Sequence, residues 1–300
     1  MSMKAKASTV GTVTQRSSKE MSYYLLLLQF FFALIALFLL GKSIRYFLHM
    51  RRYQQLRSKP LPPSYLRVLE TLSSYRILPP HLQTKIHTRI LFFIDQKEFV
   101  GAGMVITPKM QVVIAFYASL VRLGFDLDSH DNVRTIILYP SEFVVDDPQT
   151  LEGIRYKHRP VLEGESAGGT VVLSWKHILQ DIRQGSKENV IIHEFAHELD
   201  IEDGMQDGTP ELQNATDYPR YAAAFGNAFI ILTKQTKRNL ITKQSIFLGS
   251  YALENEAEFF AVCSERFFMA PKSMQELFPA IYEELKGFYR LDTVDILHSL

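Results

Sequence analysis

Two histidines with a glutamate beside the first are the residues of this chain best suited to chemistry. They are His193, Glu194 and His197, within the stretch NVIIHEFAHELD at residues 189–200. In a helix, residues four apart lie on one face, so both imidazoles can reach a single zinc ion. Glu194 adjoins the first ligand and is positioned to hold a metal-bound water. The spacing therefore predicts a hydrolytic zinc site.

The apolar residues around this motif predict the helix that carries it. Ile191, Phe195 and Leu199 recur every four residues and form an apolar stripe that would bury one side of the helix. Burial on that side would hold both histidines in fixed positions. The alternative is an ordinary amphipathic helix whose histidines have this spacing by chance. A third ligand elsewhere in the chain would decide between the two interpretations.

The residues that follow the motif exclude one class of zinc peptidase. A metzincin requires glycine at position 200 and histidine at position 203, where this chain has Asp200 and Asp203. Asp203 remains an alternative third ligand in its own right. Asp200 lies one helical turn past His197, where its carboxylate would either orient that imidazole or cap the following loop, DGMQDGTP.

A later helix, predicted over residues 252–269, offers carboxylates for the third position. Glu254, Glu258 and Glu265 share a face that differs from the apolar stripe of this helix. Glu258 is expected in the middle of the helix between apolar neighbours, where an unpaired carboxylate would be costly. A metal cation is its simplest partner, and a salt bridge to an arginine is the alternative. If Glu258 is not the ligand, Glu256 and Asp203 are the other candidates.

These motifs together resemble a known family. HEFAHELD followed by YALENEAEFFAV resembles the Mlc titration factor A family of zinc-dependent peptidases, also called glucose-regulated metallopeptidases. The runs GTVVLSW at 169–175 and FPAIYEELKGFY near the end also resemble the family pattern, and the match covers roughly residues 65–300. The YxxxxxxEFF arrangement is similar to the catalytic domain of anthrax lethal factor as well.

The resemblance implies a role for each of five residues. His193, His197 and Glu258 would be the zinc ligands, Glu194 the general base, and Tyr251, seven residues before Glu258, the donor that stabilises the oxyanion. It also implies a peptide or protein substrate and, from the best-known partner of the family, a glucose-responsive repressor, a transcription regulator as partner.

Two functions are compatible with this ligand set and with the family resemblance. The first is a zinc peptidase that hydrolyses peptide bonds. The second is a non-catalytic or weakly catalytic protein that sequesters a transcription regulator, with zinc holding its fold. Structural zinc sites are normally closed by four protein ligands, and only three are found here beside a well-placed glutamate, which favours catalysis.

The N-terminal part of the chain predicts a membrane anchor. Residues 23–40 carry no charge, and with Gly41 they are just long enough to cross a bilayer. A signal peptide has a shorter apolar core and a small-residue cleavage site, which is missing here. Four Lys or Arg residues precede the span, and six lie between 42 and 59. We therefore expect one span in the inner (cytoplasmic) membrane, with the C-terminal domain in the cytoplasm.

Composition limits the remaining possibilities. The net charge of +1 argues against binding to nucleic acid. Cys263 is the single cysteine, so an intrachain disulfide is impossible and the zinc ligands must be His, Asp or Glu. Cys263 lies on an apolar stripe and is expected in the core.

The chain is expected to contain four segments. Residues 1–22 are a disordered tail, 23–41 the transmembrane helix, 42–64 a basic, proline-containing linker, and 65–300 the zinc metallopeptidase domain. Strands first and helices later predict an α+β fold, namely a mainly helical zincin-type domain with a small sheet. The expected helices are 80–99, 108–123, 175–183, 187–200, 217–236, 252–269 and 279–289, and the expected strands are 135–140, 142–145 and 169–175.

Overall fold

The computed structural model describes residues 4–125, 133–141, 169–183 and 186–297, of which residues 4–22 are described by their backbone alone. The strand predicted over 142–145 and the loop predicted over 146–168 lie outside the described residues. The chain divides into two units, Met1–Ser58 and Lys59–Leu300.

The first unit is one helix, α1 (Lys4–Arg57). Its segment from Tyr23 to Arg57 includes a window of mean hydropathy 2.5, which is long and apolar enough to cross a membrane. The side chains from Tyr23 to Leu40 are exposed. The helix begins inside the segment whose composition predicts a disordered tail, and it continues through most of the predicted linker. The second unit begins at Lys59, within that linker.

The second unit mixes helices and strands in its first half and is helical thereafter. Its helices and strands are α2 (Pro63–Leu69), α3 (Ser73–Arg76), α4 (Pro80–Gln96), β1 (Glu98–Gly101), α5 (Pro108–Val121), β2 (Thr135–Tyr139), β3 (Thr170–Ser174), α6 (Trp175–Asp181), α7 (Val190–Asp200), α8 (Tyr218–Lys237), α9 (Lys243–Leu248), α10 (Glu256–Met269), α11 (Pro271–Leu277), α12 (Pro279–Tyr289) and α13 (Thr293–Ile296). A mainly helical domain with a small sheet is thus confirmed.

The sheet has three parallel strands in the order β1-β2-β3. Its first strand was not predicted, because residues 98 and 99 were assigned to the end of the preceding helix. That helix ends at Gln96, and Phe99 and Val100 instead pair with Ile136 and Ile137 of β2. Pairing with a distant strand decides the outcome for such a short apolar run, and the local pattern does not show it.

The core of the second unit places two helices beside each other. The buried residues of the hydrophobic core cluster extend from Leu69 to Leu297, so this cluster lies within the second unit. Helix α5 is buried along nearly its whole length, and it contacts α7. Helix α7 also packs against β3 and, most extensively, against α10. Helix α7, which carries the two histidines, therefore packs against both the sheet and α10.

Candidate metal centre

Helix α7 presents the two histidines from a buried position. It begins after Asn189, whose side chain accepts a hydrogen bond of 3.1 Å from the backbone N–H of Ile192 and so satisfies the first turn. The predicted apolar stripe of Ile191, Phe195 and Leu199 is buried. His193 is only 1% exposed, and His197 is half-buried one turn further on. The predicted helix is thus confirmed.

Helix α10 presents Glu258 from its first turn. Asn255 caps this helix by accepting a 2.9 Å hydrogen bond from the Glu258 backbone N–H. The expectation of a mid-helix position was therefore wrong, because the chain forms a short 3-10 turn at Tyr251–Leu253 and starts α10 only at Glu256. The predicted burial of Cys263 in the apolar stripe is confirmed.

The donor atoms of the three predicted ligands converge on one point. His193 Nε2 lies 3.0 Å from Glu258 Oε2 and 3.1 Å from His197 Nε2, and His197 Nε2 lies 3.5 Å from Glu258 Oε2. A tetrahedral zinc ion with ligand distances of about 2.0–2.1 Å needs donors about 3.3 Å apart. The separations match that requirement, so these side chains fit a zinc ion. In the described residues Glu258 makes no salt bridge to an arginine.

The charges around His193 favour a cation at this point. Burial alone would lower the pKa of His193, but hydrogen bonds to Glu258 and Glu265 raise it to about 10. Burial would raise the pKa of Glu258, yet the two histidines hold it well below its usual range. Burial also raises the pKa of Glu194. The surrounding carboxylates thus stabilise a positive charge, which a bound metal ion would supply in place of a proton.

Glu265, one of the three carboxylates on the predicted face of α10, belongs to the site in a role that the sequence did not predict. Its Oε1 lies 2.8 Å from His193 Nδ1, on the side of the ring opposite the donor cluster. Its Oε2 accepts a 2.8 Å hydrogen bond from the Asn189 backbone N–H and lies 3.5 Å from the Arg266 guanidinium. The carboxylate therefore fixes the ring so that Nε2 faces the cluster. The seven-residue spacing from Glu258 was the available signal.

Glu194 and Tyr251, the other two predicted site residues, lie beside the donor cluster. Glu194 follows His193 directly on α7 and is half-buried. The ring of Tyr251 lies 5.8 Å from the ring of His193, and its hydroxyl hydrogen-bonds Glu258. Burial and the Glu258 carboxylate both raise the pKa of Tyr251, so its hydroxyl stays protonated and remains a hydrogen-bond donor.

Asp200 forms its hydrogen bond with the loop after α7 and not with the imidazole of a candidate ligand. Its Oδ2 accepts a 2.9 Å hydrogen bond from the Gly208 N–H, and the Gly208 carbonyl accepts one of 2.8 Å from the Tyr221 hydroxyl. Gly208 has a φ of +79° and lies so close to α10 that a Cβ would overlap the Glu256 carbonyl. Only glycine fits there. The loop thereby braces the turn of α10 that carries Glu258.

The two alternative third ligands do not reach the cluster. Asp203 is exposed, and its Oδ1 accepts a 2.9 Å hydrogen bond from the Met205 N–H in the same loop. Glu256 is exposed at the start of α10. Among the described residues, the group that can hold a metal ion is His193, His197 and Glu258.

Comparison with known proteins places this site in a family. A family model described as glucose-regulated metallo-peptidase M90 matches residues 47–290. The chain belongs to the M90 family. The resemblance of HEFAHELD and YALENEAEFFAV to this family is therefore confirmed, and a metallopeptidase-type domain follows from it.

Relatives in the curated proteins agree with the M90 assignment. An uncharacterized protein of Synechocystis sp. (strain PCC 6803) is 33% identical over 247 residues, which cover 80% of this chain and 88% of that protein. Mlc titration factor A of Yersinia pestis (strain Pestoides F) is 32% identical over 203 residues, covering 66% of this chain and 74% of that protein. Mlc titration factor A of Yersinia pseudotuberculosis (strain YPIII) gives the same values.

Proposed function

We propose that this M90 protein is a membrane-anchored zinc peptidase. The observation that carries the proposal is the spacing of three donors at 3.0, 3.1 and 3.5 Å, with Glu194 and Tyr251 beside them. His193, His197 and Glu258 are the proposed zinc ligands. A site with three protein ligands leaves a position for substrate, which is typical of catalytic rather than structural zinc.

The proposed chemistry divides between the metal and the side chains. Zinc, when bound, polarises the scissile carbonyl and lowers the pKa of water towards about 7. Glu194 takes the proton from the attacking water and passes it to the leaving amine. Its burial suits this role, because a raised pKa brings a carboxylate closer to the working pH of a general base. Glu265 keeps His193 oriented throughout.

Tyr251 is the proposed oxyanion donor. Its hydroxyl forms a hydrogen bond with Glu258. A substrate carbonyl oxygen near the metal could accept that hydrogen bond in place of Glu258. One donor of this kind contributes roughly 2.7–4 kcal/mol to transition-state stabilisation in comparable sites. The substrate is a peptide or protein.

Paired substitutions at Glu194 and Tyr251 test the catalytic proposal. Glu194→Gln should keep zinc and fold while losing about 10²–10⁴-fold in peptide hydrolysis, because only the proton carrier is removed. Tyr251→Phe should also keep zinc and lose less than Glu194→Gln. Glu256→Gln is the matched control, since Glu256 is exposed and outside the cluster. Equal rates in wild type and Glu194→Gln, at equal zinc content, would sink the peptidase mechanism.

A second candidate function is the sequestration of a transcription regulator. It is favoured by the names of the Yersinia relatives, which describe them as titration factors of Mlc. In that case Glu194→Gln would leave regulator binding and every other measurable property intact. Co-purification of the wild-type and Glu194→Gln proteins with candidate regulators, beside the hydrolysis assay, separates the two functions.

The proposed location is the inner membrane, with residues 23–41 of α1 as a single span and the second unit in the cytoplasm. The support is the exposed apolar stretch from Tyr23 to Leu40 and the excess of Lys and Arg that follows it. The full chain should resist carbonate extraction from membranes, whereas residues 59–300 should be soluble. A C-terminal reporter that is active only outside the cytoplasm would overturn the orientation.

A further inference from the structure

The α8–α9 corner of the second unit carries an exposed apolar surface with basic residues among it. Five aliphatic side chains there are at least half exposed, and Ile241 is 81% exposed. Lys and Arg residues stand between them. The corner surface, as we call it, consists of Ile230, Ile231, Leu240, Ile241 and Ile246 with Lys234, Lys237, Arg238 and Lys243.

Helical spacing places the apolar and basic residues on the same side of α8. Lys234 and Lys237 follow Ile230 by four and seven residues, and Arg238 follows Ile231 by seven. This mixture differs from an ordinary solvent-facing helix, which carries charges without large aliphatic residues. Long Lys and Arg side chains beside apolar ones can keep their charges at the level of lipid headgroups while the aliphatic groups insert.

The charge of the corner surface is one-sided. No Asp or Glu occurs in the sequence from Tyr218 to Leu253. Within the described part of the chain, none of the corner cations Lys234, Lys237, Arg238 and Lys243 lies within ion-pair distance of a carboxylate. Their charge is therefore available to an outside partner, and that partner must be negative.

We infer that the corner surface inserts into the headgroup region of an anionic bilayer. The shape favours a membrane over a protein groove, because Leu240 and Ile241 lie at the apex of a turn, after Asn239 in the left-handed region at φ 55°. The chain also carries a span fit to cross a bilayer. Cytoplasmic leaflets are anionic, which matches the proposed orientation. The surface would hold the second unit against the membrane.

The inference relies on the proposed anchoring for its biological setting only, and its test removes the anchor. Residues 59–300 contain the whole core cluster and form a compact unit of their own. This fragment is mixed with vesicles of phosphatidylcholine alone or with phosphatidylglycerol and sedimented. We expect binding to the anionic vesicles, weakened by high salt, because each Lys or Arg near such a surface contributes about fivefold.

Matched substitutions test whether the corner surface is the contact. Ile241→Asp should weaken vesicle binding at least about tenfold, because it removes an aliphatic group that would insert into the bilayer. Val105→Asp is the control, since Val105 is 84% exposed outside the corner surface. Lys237→Gln with Lys243→Gln should weaken binding about 25-fold, and Lys109→Gln is the control for charge. Equal binding by Ile241→Asp and Val105→Asp would overturn the inference, as would equal binding to neutral and anionic vesicles.

A fluorescent label reports insertion directly. The native Cys263 is fully buried, so a cysteine introduced by Ile241→Cys is the reactive one. An environment-sensitive dye at that position should shift to the blue on anionic vesicles, and a dye introduced by Val105→Cys should not. A dimer of residues 59–300 that Ile241→Asp abolishes would identify a second copy as the occupant and overturn the membrane contact.

Discussion

Glu265→Gln is expected to weaken zinc binding about 10–100-fold without removing a ligand. Both carboxylate oxygens of Glu265 are in use, one at 2.8 Å from His193 Nδ1 and the other accepting from the Asn189 N–H at 2.8 Å. When His193 Nε2 faces a metal, Nδ1 carries the ring proton and donates a hydrogen bond. The Nδ1–H of His193 and the N–H of Asn189 therefore both require an acceptor atom. An amide has one acceptor oxygen and one donor group, and it cannot serve both.

Each orientation of the new amide has a cost that can be worked out. If the NH₂ group faces His193, the ring proton moves to Nε2, which is the ligand atom, and zinc must displace it. If the NH₂ group faces Asn189, a buried backbone N–H at the start of α7 loses its acceptor, which costs about 1–3 kcal/mol. A 10–100-fold loss in affinity corresponds to about 1.4–2.7 kcal/mol, which lies within the cost of about 1–3 kcal/mol for the second orientation.

Three measurements separate orientation from simple damage to the fold. Zinc affinity is obtained by competition with a chromophoric chelator, stability of the metal-free protein by thermal unfolding, and the ring tautomer of His193 by ¹⁵N NMR. Glu188→Gln is the control, because Glu188 lies 3.7 Å from the same Arg266 but its side chain is 56% exposed. Unchanged zinc affinity in Glu265→Gln would refute the reasoning. Lower stability with unchanged affinity would leave Glu265 with a structural role alone.

Two further predictions concern the loop that braces α10. Gly208→Ala should lower the free energy of unfolding by at least about 1–2 kcal/mol, because Gly208 has a positive φ and a Cβ there would overlap the Glu256 carbonyl. It should also weaken zinc binding, because the turn that carries Glu258 must move. Full zinc affinity in a chelator titration would show that this loop does not hold Glu258 in place. Burial raises the pKa of Asp200 from 3.8 in the unfolded chain to about 6 in the folded protein. The folded state therefore favours the protonated carboxyl. The stability that this form contributes is complete below pH 3.8 and is lost as the pH rises through 6. Between about pH 4 and pH 7, the free energy of unfolding of the metal-free wild type should therefore fall by about 2–3 kcal/mol relative to that of Asp200→Asn. If denaturant unfolding gives parallel curves of stability against pH for the two proteins, Asp200 is not the source of the pH dependence.

The parts of the site that depend on local spacing could be predicted from the sequence. The face shared by His193 and His197 follows from helical geometry, and the buried stripe of α7 follows from apolar residues every four positions. Both need only neighbours within two turns. Glu258 was singled out as the candidate third ligand because a carboxylate among apolar residues requires a partner, and the family resemblance pointed to the same residue.

The parts that depend on contacts between distant segments could not be predicted in this way. Strand β1 exists because Phe99 and Val100 meet β2, although their own pattern also suits the end of a helix. The start of α10 was misplaced because the Asn255 cap interrupts what looks like one continuous helical run. Glu265 gained its role only when α10 docked on α7, and its seven-residue spacing from Glu258 showed a shared face without showing what that face meets.

The division of the donor set between two helices links metal content to the whole tertiary structure. His193 and Glu258 are 65 positions apart in the chain, so the donors meet only after α7 and α10 have docked. In a mutational scan, a core change such as one at the Phe225–Phe259 ring contact would deplete zinc much as loss of a ligand does. By mass action, zinc present at a hundred times its Kd would stabilise the folded state by about 2.7 kcal/mol. For the zinc peptidase that we propose, zinc starvation would therefore shorten the lifetime of the protein against cellular proteases as well as stop peptide hydrolysis.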